Sequence, residues 1–263
     1  MESGIKVMQL VAYGAQDVFL TGNPKVTFFQ AVYKRHTNFA METIEQTVNG
    51  NPASNGRISV TVARNGDLIG EMFMELTTRD LSAENAEARC WVAELAVADV
   101  ELSIGGQRID KHYQRWWRLY SELYLDESKK VNYGKMTTNA AYVADHAEVY
   151  LPLIFFFNRN PGLYLPLIAL QYHEVRLDFD LSNVYDAFFS GVKVWGNYVY
   201  LDTEERRRFA QKGHEYLIEQ VQHTGNDAVV SGSNKQVRLS YNHPVKELVW
   251  CVSDGNYTSL WNL

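Results

Sequence analysis

Residues 57–76 read RISVTVARNGDLIGEMFMEL, and this stretch decides the fold class of the chain. Apolar and polar side chains alternate in both halves, which is typical of a β-strand with one buried face. Between the halves, Asn65-Gly66 supplies the residues that a tight hairpin turn favours. The stretch therefore predicts two antiparallel strands joined by a hairpin, with buried positions at Ile58, Val60, Val62, Met72, Met74 and Leu76.

Similar patterns continue on both sides of this stretch. Gly105-Gly106 marks a second turn, and Ala83–Ala98 is rich in Ala and Glu, which favours a helix. A second helix is predicted by aromatic side chains at the spacing of one helical face, which we expect to pack on a sheet: Tyr113, Trp116, Trp117, Tyr120 and Tyr124. Strands are predicted near 38–50, 57–65, 68–76, 98–105, 149–157, 171–181 and 192–203. The pattern indicates an all-β, antiparallel jelly-roll β-sandwich with short helical insertions.

A long-range repeat suggests a second copy of this domain. ETIEQTVNG at residues 42–50 returns in altered form as EYLIEQVQHTG at residues 215–225. A second echo follows each copy, at 57–65 and at 236–242. Periods this long belong to tandem domains, because solenoid repeats span only about 20–50 residues. We therefore expect three parts: an N-terminal arm (1–24), a first jelly roll (25–212, with a linker near 210–213) and the incomplete start of a second (213–263).

Composition narrows the class of protein. The 263 residues are 46% hydrophobic and 13% aromatic, which is enough for one large core. A net charge of −6 argues against direct nucleic-acid binding, which requires a basic surface. Arg206-Arg207-Arg208 is the one dense basic run, and because Glu204 and Glu205 precede it we interpret it as a solvated strand end. The longest apolar run, residues 150–157, is too short to span a bilayer.

Two further features concern the cellular compartment. Cys90 and Cys251 fall in different repeat units and suggest no disulfide framework, which suits a reducing compartment. The first residues lack the basic and apolar regions of a signal peptide, so we expect no secretion. The sequon Asn256-Tyr257-Thr258 is then not expected to carry a glycan.

A catalytic or metal site is not predicted. Jelly-roll metalloenzymes place two histidines on one strand at His-x-His spacing, and no such pair occurs among the seven histidines. His173-Glu174 comes nearest, but adjacent strand residues point to opposite faces. Asp178 and Asp180 share a face at roughly 7 Å, a separation that suits a glycosidase pair. A solvated strand face is the favoured interpretation of these aspartates, and we expect no catalytic residue, cofactor or metal.

Several blocks resemble a known family across nearly the whole chain. They are QLVAYGAQDVFLTGNP (9–24), VYKRHTNFA (32–40), IGGQRIDKHY (104–113), LPLIFFFN (151–158), LPLIALQYHEV (165–175), LDTEER (201–206) and HEYLIEQ (214–220). In this order they are similar to the major capsid proteins of nucleocytoplasmic large DNA viruses, in particular the algal-virus (phycodnavirus) type and its mimivirus-like relatives.

The resemblance implies a structural role without catalysis. Such proteins are double jelly rolls, and three copies form a pseudo-hexagonal capsomer. The implied partners are the chain itself as a homotrimer, neighbouring capsomers and minor capsid proteins. The shell lies over an internal membrane without embedding in it, and the implied location is the virion, assembled in the host cytoplasm. The alternative is a jelly-roll carbohydrate-binding module or lectin, which requires exposed aromatic side chains on a concave face or a calcium site.

Overall fold

The computed structural model describes residues 37–84, 89–139, 147–230, 232 and 234–250. Nearly all of these belong to one compact unit, Phe39–Leu263. Its strands are β1 (Phe39–Gln46), β2 (Val48–Asn49), β3 (Arg57–Thr61), β4 (Leu68–Thr78), β5 (Val97–Ile104), β6 (Gln107–Tyr113), β7 (Glu148–Pro152), β8 (Leu165–Pro166), β9 (Val175–Leu181) and β10 (Phe189–Leu201). Its helices are α1 (Gln114–Tyr124), α2 (Glu127–Thr137), α3 (Tyr185–Phe188) and α4 (Thr203–Gln211), with 3-10 turns at Val92–Leu95 and Pro161–Leu163.

The strands form two antiparallel sheets. Sheet I has the order β1-β10-β4-β7, with β8 also paired to β4, and sheet II has the order β2-β3-β9-β5-β6. The predicted strand at 38–50 divides between them, since β1 lies in sheet I and β2 in sheet II. The inner faces supply one core, whose fully buried members include Ile58, Val60, Met74, Leu76, Leu102, Leu177, Phe179 and Val194. The predicted all-β sandwich is confirmed.

The predicted hairpin at Asn65-Gly66 is wrong. Strand β3 pairs with β2 and β9, whereas β4 pairs with β10, β7 and β8, so the chain crosses from sheet II to sheet I between them. Asp67 fastens this crossover: its backbone N–H donates to the Val199 carbonyl (3.0 Å) and its carboxylate accepts from the Leu201 N–H (2.8 Å). The alternation correctly identified the buried face of each strand, but it carries no information about which strand lies alongside. By contrast, Gly105 and Gly106 (φ 61° and 81°) do turn the chain between β5 and β6.

The helices differ from the expectation in part. The aromatic pattern correctly predicted α1, which buries Trp117, and the Trp117 Nε1–H donates to the Pro152 carbonyl (2.8 Å). A helix continuing to Ala98 is wrong, because a 3-10 turn ends at Leu95 and strand β5 begins at Val97. Residues 85–88 lie outside the described part. Helix α2 was not predicted, because it buries only Tyr133 and Thr137 and so lacks an apolar stripe.

Two other segments correct the sequence interpretation. Arg206, Arg207 and Arg208 lie on helix α4 rather than at a strand end, where Arg207 and Arg208 form i,i+3 ion pairs with Glu204 and Glu205. Strand β7 ends at Pro152, so the predicted strand at 149–157 is too long. Residues 153–157 are instead a turn that buries its aromatic side chains in the core, and β9 begins at Val175 rather than 171.

Candidate interaction surfaces

The outer face of sheet I carries paired charges among aromatic rings. The strand alternation that sends Met74 and Leu76 into the core sends Glu75 outward, opposite Lys193 on β10. Glu75 is only 8% exposed, and its carboxylate accepts hydrogen bonds from Lys193 Nζ (2.9 Å) and Trp195 Nε1 (2.7 Å). This anion is therefore neutralised and held in one orientation.

Further side chains extend this face. The rings of Phe73 and Tyr150 meet edge to face at 5.9 Å, and the Tyr164 hydroxyl donates to Glu71 (2.5 Å). Burial, together with the Glu71 carboxylate, raises the pKa of Tyr164 and keeps it a donor. At one edge of the sheet, Phe39 and Met41 on β1 are more than half exposed. Half-buried aromatic rings with satisfied polar groups are typical of a surface that contacts another protein.

A second group of contacts lies along β6, the edge strand of sheet II. Asp110 and His112 share its inner face and are buried, with Asp110 Oδ2 2.9 Å from His112 Nε2. The His112 ring stacks on Phe155 at 4.3 Å between centroids. Asp110 Oδ1 also accepts from the backbone N–H of Val221 (2.9 Å). A buried carboxylate of strand β6 is thus partly satisfied by the backbone of a later part of the chain.

Residues 213–250, here called the C-terminal segment, contact the sandwich on one side. In their described part they contain no helix or strand. The Tyr216 hydroxyl donates to the Tyr164 carbonyl (2.8 Å), and Glu219 pairs with Arg159 (2.9 Å). A hydrogen bond from Lys246, with the Arg159 charge, lowers the pKa of Glu219. Apolar side chains on this segment stay uncovered: Leu217 is 87% exposed and Trp250 is 81% exposed.

The repeated Ile-Glu-Gln motif has a clear structural role in its first copy. Gln46 is buried, and its Oε1 accepts from the backbone N–H of Ala63 (3.0 Å) and from the Tyr198 hydroxyl (2.9 Å). Its Nε2 donates to the Ile44 carbonyl (2.9 Å). The amide therefore ties the end of β1 to β10 and to the crossover loop. In the second copy, Gln220 Nε2 donates instead to the Ile109 carbonyl on β6.

The residues weighed for catalysis do not assemble a site. Asp178 and Asp180 both pair with Arg57, at 3.9 and 3.6 Å, and Asp178 also pairs with Arg176 at 2.9 Å. Cations between and beside the two aspartates fit the solvated strand face rather than an acid pair. His173 and Glu174 are exposed in the turn before β9. Within the described ranges, no group of three His, Cys, Asp or Glu side chains could hold a metal ion.

One buried cluster of polar side chains is not predicted by any pattern in the sequence. Glu94, Arg118 and Tyr133 meet between the Val92–Leu95 turn and helices α1 and α2, with the Tyr133 hydroxyl donating to Glu94 Oε1 (2.6 Å). Arg118 lies off the aromatic stripe of α1, yet it is buried with its guanidinium 4.0 Å from the Trp91 ring. Glu94 lies in a turn of only four residues and Arg118 lies beside the aromatic stripe of α1, so no periodicity in the sequence predicts the burial of either charged side chain. None of the helices described in the structure is long and apolar enough to cross a membrane.

Comparison with known proteins identifies the family. Residues 27–202 match the family described as "Major capsid protein N-terminus", and residues 205–262 match "Large eukaryotic DNA virus major capsid protein". The chain is 47% identical to the major capsid protein of Paramecium bursaria Chlorella virus 1 and 46% identical to that of Pyramimonas orientalis virus. The alignments cover 97% and 93% of this chain, but only 63% and 64% of those relatives.

Solved structures agree with this assignment. The structure titled "PBCV-1 virus capsid, quasi-atomic model" superimposes with a TM-score of 0.66 at 47% identity, covering 74% of this chain and 50% of that chain. The Faustovirus major capsid protein shares the fold with a TM-score of 0.56 at 10% identity, over 75% of this chain and 60% of that chain. With the two-sheet sandwich and both family matches in order along the sequence, this chain belongs to the major capsid proteins of large eukaryotic DNA viruses.

Proposed function

We propose that this chain is the N-terminal part of a structural protein that builds the outer icosahedral shell of a large DNA virus. The observation that carries the proposal is the 47% identity to a major capsid protein over 97% of this chain, combined with the matching sandwich. The protein acts as a building block and not as an enzyme, and its place is the virion, after assembly in the host cytoplasm.

A domain layout in three parts is supported by the repeat in the sequence. Residues 25–212 form the first jelly roll, residues 213–263 begin a second, and residues 1–24 are an arm that contacts the base of the capsomer or a neighbouring shell protein. The exposed apolar side chains of the C-terminal segment support this layout, since a complete second sandwich would bury them. Two similar sandwiches in each chain suit a trimer with six similar corners, which packs as a pseudo-hexagonal capsomer.

Contacts to other shell proteins are proposed for the outer face of sheet I. Its half-buried aromatic rings and neutralised Glu75 can be covered by a partner without leaving an unpaired charge. The partners are other copies in the homotrimer, neighbouring capsomers and minor capsid proteins. An internal membrane lies beneath the shell, and the acidic chain makes no direct contact with the genome.

The test is the solution mass of a protein that carries these 263 residues together with a complete second jelly roll. Light scattering coupled to size exclusion should give three times the chain mass, and electron microscopy should show pseudo-hexagonal particles. A stable monomer that binds defined glycans on an array would overturn the proposal in favour of a carbohydrate-binding module.

Limited proteolysis of the 263-residue chain tests the domain boundary and should leave a core that ends near residues 205–215. Protection through Leu263 in a monomer would refute the boundary.

A further inference from the structure

Glu94 lies at a junction of three elements with one oxygen unsatisfied. Its side chain is fully buried between the Val92–Leu95 turn, α1 and α2. Oε1 accepts the hydrogen bond from Tyr133 on α2 at 2.6 Å, whereas Oε2 has no hydrogen-bond partner among the described residues. A neutral carboxylic acid tolerates this environment, but a buried carboxylate requires more hydrogen bonds than one hydroxyl supplies.

Few contacts hold α2 to the domain. It buries only Tyr133 and Thr137, while Val131 on its outer side is about half exposed. Just beyond its end, Thr138 Oγ1 accepts from the backbone N–H of Trp91 (3.0 Å). Besides the Lys130–Glu122 ion pair, the Tyr133–Glu94 contact is therefore a main polar link between this helix and the rest of the domain.

Trp91 shows that the docked state holds local strain. Its backbone is left-handed, with φ 48° and ψ 33°, a conformation that bulky side chains rarely adopt. It is held there by the hydrogen bond that its N–H donates to Thr138 Oγ1, one residue beyond α2, and by the Arg118 guanidinium over the indole ring. Such strained residues persist only where surrounding contacts maintain them and are common in segments that switch. Departure of α2 removes one of those contacts.

The charged groups around Glu94 do not compensate for its burial. Facing it are Arg118 and Glu122 on α1 and Tyr133 on α2, and Lys130 pairs with Glu122 at 3.2 Å. Burial is the largest effect and raises the pKa of Glu94 to about 7, against the opposing hydrogen bond from Tyr133 and charge of Arg118. The group therefore changes charge near neutral pH.

We propose that Glu94 and Tyr133 form a proton-controlled latch, in which helix α2 is docked while Glu94 is neutral and is released when Glu94 ionises. Ionisation places an incompletely paired charge in the interior, and opening of α2 lets water solvate it. The proposal does not depend on capsid assembly, since all the groups lie in one chain.

Hydrogen exchange of the peptide spanning α2, followed in the 263-residue chain from about pH 4 to 8, tests the latch. Exchange is expressed as protection factors, which remove the intrinsic pH dependence of amide exchange. Protection of α2 should fall as the pH rises above about 4.5 and level off above about 7, while the core strand β9 stays protected. The pKa changes from 4.5 in an ordinary glutamate to about 7 here, so the fall can reach at most about 300-fold.

Three variants separate the latch from a merely structural role. Glu94→Gln should keep α2 protected at every pH, because the amide cannot ionise. Tyr133→Phe removes the hydrogen bond that favours the carboxylate, so the fall in protection should level off at a higher pH. Glu127→Gln, a matched control at an exposed acid in the first turn of α2, should leave the transition unchanged. Constant α2 protection in the unmodified chain, or an unchanged transition in Glu94→Gln, would overturn the proposal.

Discussion

Replacing Gln46 by leucine should destabilise the sandwich well beyond an ordinary surface change. The substitution removes the acceptor of the Ala63 N–H and of the Tyr198 hydroxyl, and the donor to the Ile44 carbonyl. Tyr198 retains a second acceptor, the Ala63 carbonyl at 2.6 Å, so the main penalty is the Ala63 N–H that loses its partner.

The magnitude follows from these contacts. An unsatisfied polar group costs about 1–3 kcal/mol, and each lost hydrogen bond costs about 1 kcal/mol. Burial of the leucine side chain offsets part of this loss, which leaves a net destabilisation of about 2–4 kcal/mol. For a domain of this size, that corresponds to a fall in Tm of about 4–16 °C.

Thermal and urea unfolding followed by circular dichroism would measure the effect. Glu45→Gln is the matched control, because Glu45 is the exposed neighbour on the same strand and should change stability by less than about 0.5 kcal/mol. A double-mutant cycle with Tyr198→Phe should give a coupling energy of about 0.5–3 kcal/mol. A change for Gln46→Leu no larger than that of the control, or full additivity with Tyr198→Phe, would refute the role assigned to Gln46.

Three further substitutions test the core, one close contact and one titration. Ile58→Ala should lower the free energy of unfolding in urea by about 2–5 kcal/mol, because Ile58 is fully buried. The control Leu217→Ala, at an exposed site, should lower it by less than about 0.5 kcal/mol. Equal losses would contradict the described packing. Gly70→Ala should cost at least about 1–3 kcal/mol, because the new Cβ would lie 2.4 Å from the Tyr164 ring, and an unchanged Tm would show that the ring is elsewhere. The raised pKa of Glu94 means that the folded state binds a proton more tightly than the unfolded state. The contribution of Glu94 to the free energy of unfolding is therefore fully present below about pH 4.5 and is lost as the pH rises through about 7. The loss can reach about 3 kcal/mol. Glu94→Gln should flatten this part of the stability profile in urea titrations, and an unaltered profile would count against the assignment.

Local patterns predicted the elements that bury one regular face. The alternation in 57–76 located two core strands, and the aromatic spacing located α1, because each pattern repeats with the period of its own backbone. The same reasoning missed α2, which buries only two side chains, and misplaced the arginines of α4. The turn at Gly105-Gly106 was predictable because positive φ is a local requirement.

By itself, then, the sequence determined the all-β class, the buried face of each main strand, the repeat and the resemblance to capsid proteins. Only the tertiary structure decided that β3 and β4 lie in opposite sheets, that Gln46 joins three segments, and that Glu94 and Arg118 are buried. The physical reason is that periodicity reports how one segment faces solvent or core. The partners of β3 and β4 include strands more than a hundred residues away, and the groups around Glu94 and Arg118 come from separate elements, so their positions are set only when these elements pack together.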